Sequence, residues 1–166
     1  MADSKEKFDY TVARTLHWVT AYIIFFNLVS GWRLDDLSQP VKRTLVMVHA
    51  GFGTAIGVLT LLRWWWRRSR KLYVVPNWWR SLSLLLQWSF YPLLLIQVAI
   101  GIVHTAFIGY DVLAFGLIEY SALAPDNEGL HGLFLKAHRL IGVLLVVLIA
   151  IHALEPVPTS RQFCRT

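Results

Sequence analysis

At 166 residues, 56% of them hydrophobic and only 16% charged, the chain is too apolar for a water-soluble domain, where about 45–50% apolar and about 25% charged residues are usual. A single cysteine, Cys164, excludes a disulfide framework, and the lack of a C-x-x-C-H run excludes covalently attached c-type haem. The formal charge of +6 gathers at the ends of apolar segments, which reads as membrane orientation and excludes nucleic acid as the partner.

The apolar segments predict an all-α membrane protein, a four-transmembrane-helix bundle forming one domain over 1–166. Residues 1–13 read as a short polar tail. The first span, 15–34, lacks an A-x-A-like cleavage site and is long enough to stay in the membrane. Arg33, Asp35, Asp36 and Pro40 close it. The second span, 41–66, runs into RWWWRRSRK, a tryptophan belt and basic cluster suited to a lipid–water boundary. Val74-Val75-Pro76-Asn77 reads as a turn. The third span, 81–108, carries Pro92 near its start. Residues 109–132 form a longer loop whose middle, VLAFGLIEYSAL, is expected to be a short interfacial helix. The fourth span, 133–154, is stopped by Glu155-Pro156.

Four spans place both termini on one side. With the amino terminus inside, the inner segments hold Lys5, Lys7, Arg14, Arg63, Arg67, Arg68, Arg70, Lys71, Arg80, Arg161 and Arg165, and the outer ones Arg33, Lys42, Arg43, Lys136 and Arg139. Eleven against five predicts that both termini are cytoplasmic.

This orientation gives each span histidine a depth. His17 and His152 lie near the inner ends of spans one and four, while His49 and His138 lie in the outer parts of spans two and four. His138 and His152 are 14 residues apart, which is about four helical turns or roughly 21 Å, with their side chains within roughly 40° of each other. One buried imidazole can be satisfied by a neighbouring helix, but four that sort into two pairs point to a shared ligand. Zinc would want four donors, and no Cys, Asp or Glu lies at these depths. Copper usually recruits Cys or Met, and Met47 is the one internal methionine. Haem iron needs two axial imidazoles, so the metal ligands would be His17, His152, His49 and His138. With both axial positions filled, electron transfer is favoured over oxygen chemistry, and no residue is assigned a catalytic role.

Gly53 and Gly57 follow His49 on its face, Gly142 follows His138, and Gly31 stands at the outer depth on span one. These would let a flat cofactor approach the backbone, or serve ordinary small-residue helix packing. Arg14, Arg63 and Arg139 would meet the carboxylate tails of haem, or snorkel to headgroups. His104 and His131 have no partner of matching depth left. His104 would face a quinone headgroup or a proton path, or be an interfacial polar residue.

With R-T-L-H-W at 14–18, V-H-A-G-F-G-x3-G-V-L-x2-L-R-W-W-W-R at 48–67, A-F-G-L at 114–117, K-A-H-R-L-I-G at 136–142 and I-H-A at 151–153, the chain resembles the bacterial cytochrome b561 family. The resemblance covers nearly the whole chain. It implies a multi-pass protein of the bacterial inner membrane with two non-covalently bound haem b groups. His17 and His152 would ligate the inner haem, His49 and His138 the outer. It also implies electron exchange between quinone or quinol and a periplasmic donor or acceptor, superoxide in some members. The cytochrome b subunits of membrane hydrogenases and formate dehydrogenases share this plan, so a haem-bearing anchor subunit for a larger dehydrogenase is the alternative. A metal-ion carrier, colourless when purified, is a third reading.

Overall fold

A computed structural model describes residues 2–34, 37–70 and 82–154. Four helices carry the chain: α1 (Ala2–Arg33), α2 (Gln39–Ser69), α3 (Leu82–Ala106) and α4 (Glu128–Leu154). Each is long and apolar enough to cross a membrane, so the all-α four-helix membrane bundle is the observed architecture. The turn at Val74–Asn77, the stop at Glu155-Pro156 and Cys164 lie outside the described residues.

The helices outrun the predicted spans at several ends, for local reasons. The expected polar tail is helix from Ala2 onward. Nothing between 2 and 14 breaks a helix, and the segment has a partner in the end of α2. Asp9 is buried. Its carbonyl accepts from Trp66 Nε1 at 3.2 Å, and its carboxylate lies 3.7 Å from Arg70 Nε. Pro40 opens α2 and does not merely close the preceding span. In the first helical turn its missing N–H is one that would have no partner anyway. Helix α4 starts five residues before the predicted position, because Asn127 Oδ1 accepts the Leu130 N–H at 3.0 Å as a cap.

The loop after α3 corrects the sequence expectation. Residues 112–123 form no interfacial α-helix. Two short antiparallel strands, β1 (Leu113–Ala114) and β2 (Ile118–Glu119), make a hairpin, followed by one 3-10 turn at Ser121–Leu123. Phe115 and Gly116 take φ values of +50° and +71°, and Leu117 N–H donates to Ala114 O at 3.0 Å. Two successive left-handed residues are incompatible with a right-handed helix and suit a tight hairpin turn. Tyr120, buried, meets Thr54 of α2 hydroxyl to hydroxyl at 2.5 Å. The Phe115 ring lies on Gly51, where a Cβ would come within 2.6 Å of it. Only glycine admits the hairpin this close to α2.

Backbone packing joins consecutive helices: α1 with α2, α2 with α3, and α3 with α4. The interior is thin, and large apolar side chains such as Tyr22, Phe25, Trp32 and Leu140 point outward, as a lipid-facing surface requires. The buried apolar core is a waist of Ile56, Leu94 and Leu145, with Ile24, Leu93 and Ile141 among the residues around it. Leu145 stands seven residues from both His138 and His152. The waist therefore lies about 10 Å from each histidine along α4. It divides the bundle into a tail end, where α1 and α3 begin and α2 and α4 finish, and a hairpin end.

Candidate functional site

Above and below the waist, imidazoles from non-consecutive helices meet. At the tail end His17 of α1 faces His152 of α4, with ring centres 6.4 Å apart and planes at 85°. At the hairpin end His49 of α2 faces His138 of α4, at 6.2 Å and 72°. Two imidazoles on opposite sides of one metal, with bonds of about 2.0–2.1 Å and ring centres roughly 1.2 Å behind the nitrogens, would lie about 6.4 Å apart. Both pairs fit that separation. Among the described residues no three His, Cys, Asp or Glu side chains gather as a metal-ion cage. The donor sets are pairs of imidazole nitrogens on facing helices, which would suit the two axial positions of a haem.

The surroundings orient these rings. Ser30 Oγ donates to Asn27 O at 3.1 Å and lies 3.2 Å from His49 Nδ1. A hydroxyl has one hydrogen, so with it committed to Asn27 the serine accepts from Nδ1–H, and His49 Nε2 keeps its lone pair for a metal. The Nδ1 atoms of His17 and His138 are buried without a hydrogen-bond partner among the described residues. Gln97 Nε2 donates to the His138 carbonyl at 3.0 Å, tying α3 to α4 at this level. His152 is flanked by Phe90 of α3, ring centres 5.7 Å apart.

Two glycines seat imidazoles. A Cβ on Gly31 would lie 2.9 Å from His49 Cε1, and one on Gly101 would lie 3.0 Å from His138 Cε1. Gly31 stands at the depth its spacing predicts, yet it makes room for the ligand ring itself. The other expected cradle glycines meet side chains: Gly53 faces Asn27, Gly57 faces Val98, and Gly142 faces Gln97. The arginines separate. Arg14 and Arg139 are exposed, while Arg63 turns inward with its guanidinium 5.7 Å from the centre of the Tyr91 ring.

Three residues acquire a place that sequence reasoning did not give them. His104 and His131, expected to stand apart from the pairs, join the hairpin-end pair. The His104 ring lies 5.3 Å from that of His138 and 5.4 Å from that of His131, and His131 Nδ1 is 2.9 Å from the His104 carbonyl. Depth along α3 carries this signal for His104, but the sequence pattern puts His131 in a loop, and the early start of α4 is what turns it inward. Arg67, counted only as part of a basic boundary cluster, is buried and donates from Nη1 to Tyr91 Oη at 3.1 Å.

Comparison with curated proteins finds no match. The family profile described as prokaryotic cytochrome b561 matches residues 10–155, a stretch that holds all four helices' membrane cores and both imidazole pairs. With four membrane-crossing helices, facing imidazoles fit for b-type haem and a family match over most of its length, the chain belongs to the prokaryotic cytochrome b561 family of transmembrane electron-transfer haem proteins.

Proposed function

We propose that the protein holds two b-type haems, one between His17 and His152 and one between His49 and His138, and passes electrons across the membrane between the quinone pool and a redox partner at the hairpin end. The observation that carries this reading is the pair of imidazole couples, 6.4 and 6.2 Å apart, lying on either side of one apolar waist. When bound, each haem supplies one-electron exchange at its iron. The chain's own residues ligate, orient and insulate. Ser30 sets the tautomer of His49, Gly31 and Gly101 let the hairpin-end rings reach their positions, and Ile56, Leu94 and Leu145 keep a dry partition between the levels. With both imidazoles of each pair engaged, electron transfer without ligand exchange would be favoured. A small outer oxidant or reductant, superoxide among them, would exchange electrons near the hairpin.

The first test is a reduced-minus-oxidised absorption spectrum of the purified chain with its haem-to-protein ratio. Two low-spin b haems per chain, reducible by quinol, are expected; a colourless protein or a single haem overturns the scheme.

The excess of basic residues beside the tail end supports a cytoplasmic amino terminus in a bacterial inner membrane. Reporter fusions after residues 72 and 120 are expected to read inside and outside respectively, and the opposite result would invert the orientation.

A second reading has its own observation. Phe115, Leu117, Ile118 and Leu123 are exposed around the hairpin, an apolar surface on which a dehydrogenase subunit would dock. Quinol oxidation by the isolated chain in the presence of a soluble outer electron acceptor favours the self-contained oxidoreductase. Electron flow that appears only with a partner subunit favours the anchor.

A further inference from the structure

The tail end holds an arginine that a membrane bundle would ordinarily keep at its surface. Arg67 retains only 7% of its accessible surface. Placing a guanidinium there costs several kcal/mol unless its surroundings compensate, and the surroundings are specific. Arg67 Nη1 donates to Tyr91 Oη at 3.1 Å. Its guanidinium carbon lies 5.5 Å from the centre of the Trp88 ring and 5.9 Å from that of Tyr91. Tyr91 is itself buried, and Trp88 and Tyr91 contact each other at 5.6 Å. Cation–π stacking and the charge-assisted hydrogen bond to Tyr91 thus help to hold the guanidinium in place.

That place adjoins the His17–His152 level. Phe90, the residue before Tyr91, contacts the His152 ring, so one turn of α3 touches the imidazole pair with one side chain and holds the guanidinium with the next. At the other level Arg139, next to His138 in sequence, stands exposed.

Resting on the haem placement proposed above, we propose that Arg67, fixed by Tyr91 and Trp88, is an electrostatic positioning residue that raises the reduction potential of the tail-end haem. The physical reason is charge balance. Taking up one electron from quinol or another donor, with no bond made or broken at the axial nitrogens, adds one negative charge to the haem. A fixed positive charge in a low-dielectric interior stabilises that added electron far more than a solvated one does. The basic cluster after the second span then has two roles: its exposed members orient the chain, and its buried member tunes a redox centre.

The test is a potentiometric titration of the full purified chain followed by absorption, with the tail-end haem identified in a His49→Ala background. In Arg67→Gln, the reduced-to-oxidised ratio of the tail-end haem at fixed poise is expected to fall on the order of tenfold, about 59 mV for a one-electron couple. Arg67→Lys is expected to restore most of that fall, and the hairpin-end haem to move much less. An unchanged tail-end midpoint in a chain that keeps both haems, or an equal shift of both haems, overturns the proposal. If Arg67→Gln loses its haem, Tyr91→Phe decides. It keeps the charge but frees the guanidinium, and is expected to give a smaller fall in the same direction; no shift there also overturns it. A wild-type chain with fewer than two haems is a different result, and sinks the haem placement before any variant is compared.

Discussion

Alanine at His17 or at His152 is expected to lower the haem content from two per chain to one, and to leave the spectrum of the remaining haem unchanged. Alanine at His49 or at His138 is expected to remove the other haem. The grouping follows from geometry: His17 meets His152 and His49 meets His138 with ring centres 6.4 and 6.2 Å apart. It also follows from the waist, since Leu145 separates the levels by seven residues in each direction along α4. A haem that loses one of two axial imidazoles loses the bond that positions it between its helices. The other level does not share those contacts, so the two losses should be independent. The measurement is a pyridine haemochrome assay with a low-temperature spectrum for each of the four variants. If His17→Ala and His138→Ala removed the same haem, the pairing would be wrong. His104 provides an internal check, because its ring lies nearer to that of His138 than the His49 ring does. His104→Ala is expected to keep both haems. If it abolished the hairpin-end haem while His49→Ala spared that haem, His104 would be the axial ligand opposite His138.

Leucine at Gly31 is expected to have nearly as large an effect, without touching any ligand. Its Cβ alone would come to 2.9 Å from His49 Cε1, closer than side-chain carbons approach one another. The neighbour that would have to give way is a ring held through Nδ1 by Ser30. Gly101→Leu would press on His138 in the same way, from α3. Both variants are expected to lose the hairpin-end haem while keeping the tail-end one, read as a halved haem-to-protein ratio with an intact four-helix circular dichroism spectrum. Gly132→Leu is the control, since nothing lies within 4 Å of the position its Cβ would take, and it should keep both haems. Retention of both haems in Gly31→Leu would mean that His49 reaches its ligand from a different rotamer.

The glycines show where sequence reasoning reached its limit. Gly53, Gly57 and Gly142 share helical faces with the histidines, and that periodicity predicts a cradle for a flat cofactor. The structure sets each of them against a side chain of a neighbouring helix. The periodicity placed them on the right face but could not say what lies opposite. Gly101, which seats His138, sits 37 residues earlier on another helix, and nothing in its local sequence links the two. The hairpin is similar. VLAFGLIEYSAL is apolar enough for an interfacial helix, and only the left-handed turn at Phe115 and Gly116, stabilised by contacts to Gly51 and Thr54 of α2, turns it back on itself.

By itself the sequence determined the class of protein, the number of spans and the two levels of histidines. Each of these is a property of single helices, whose length and rise are constant once the apolar segment is known. The tertiary structure alone decided which side chains face one another across helices. It drew His104 and His131 to the hairpin-end pair, left Arg14 and Arg139 exposed, and buried Arg67 against Tyr91. The rotation of one helix against the next sets these relations. That rotation comes from packing residues far apart in the chain, and no local pattern records it.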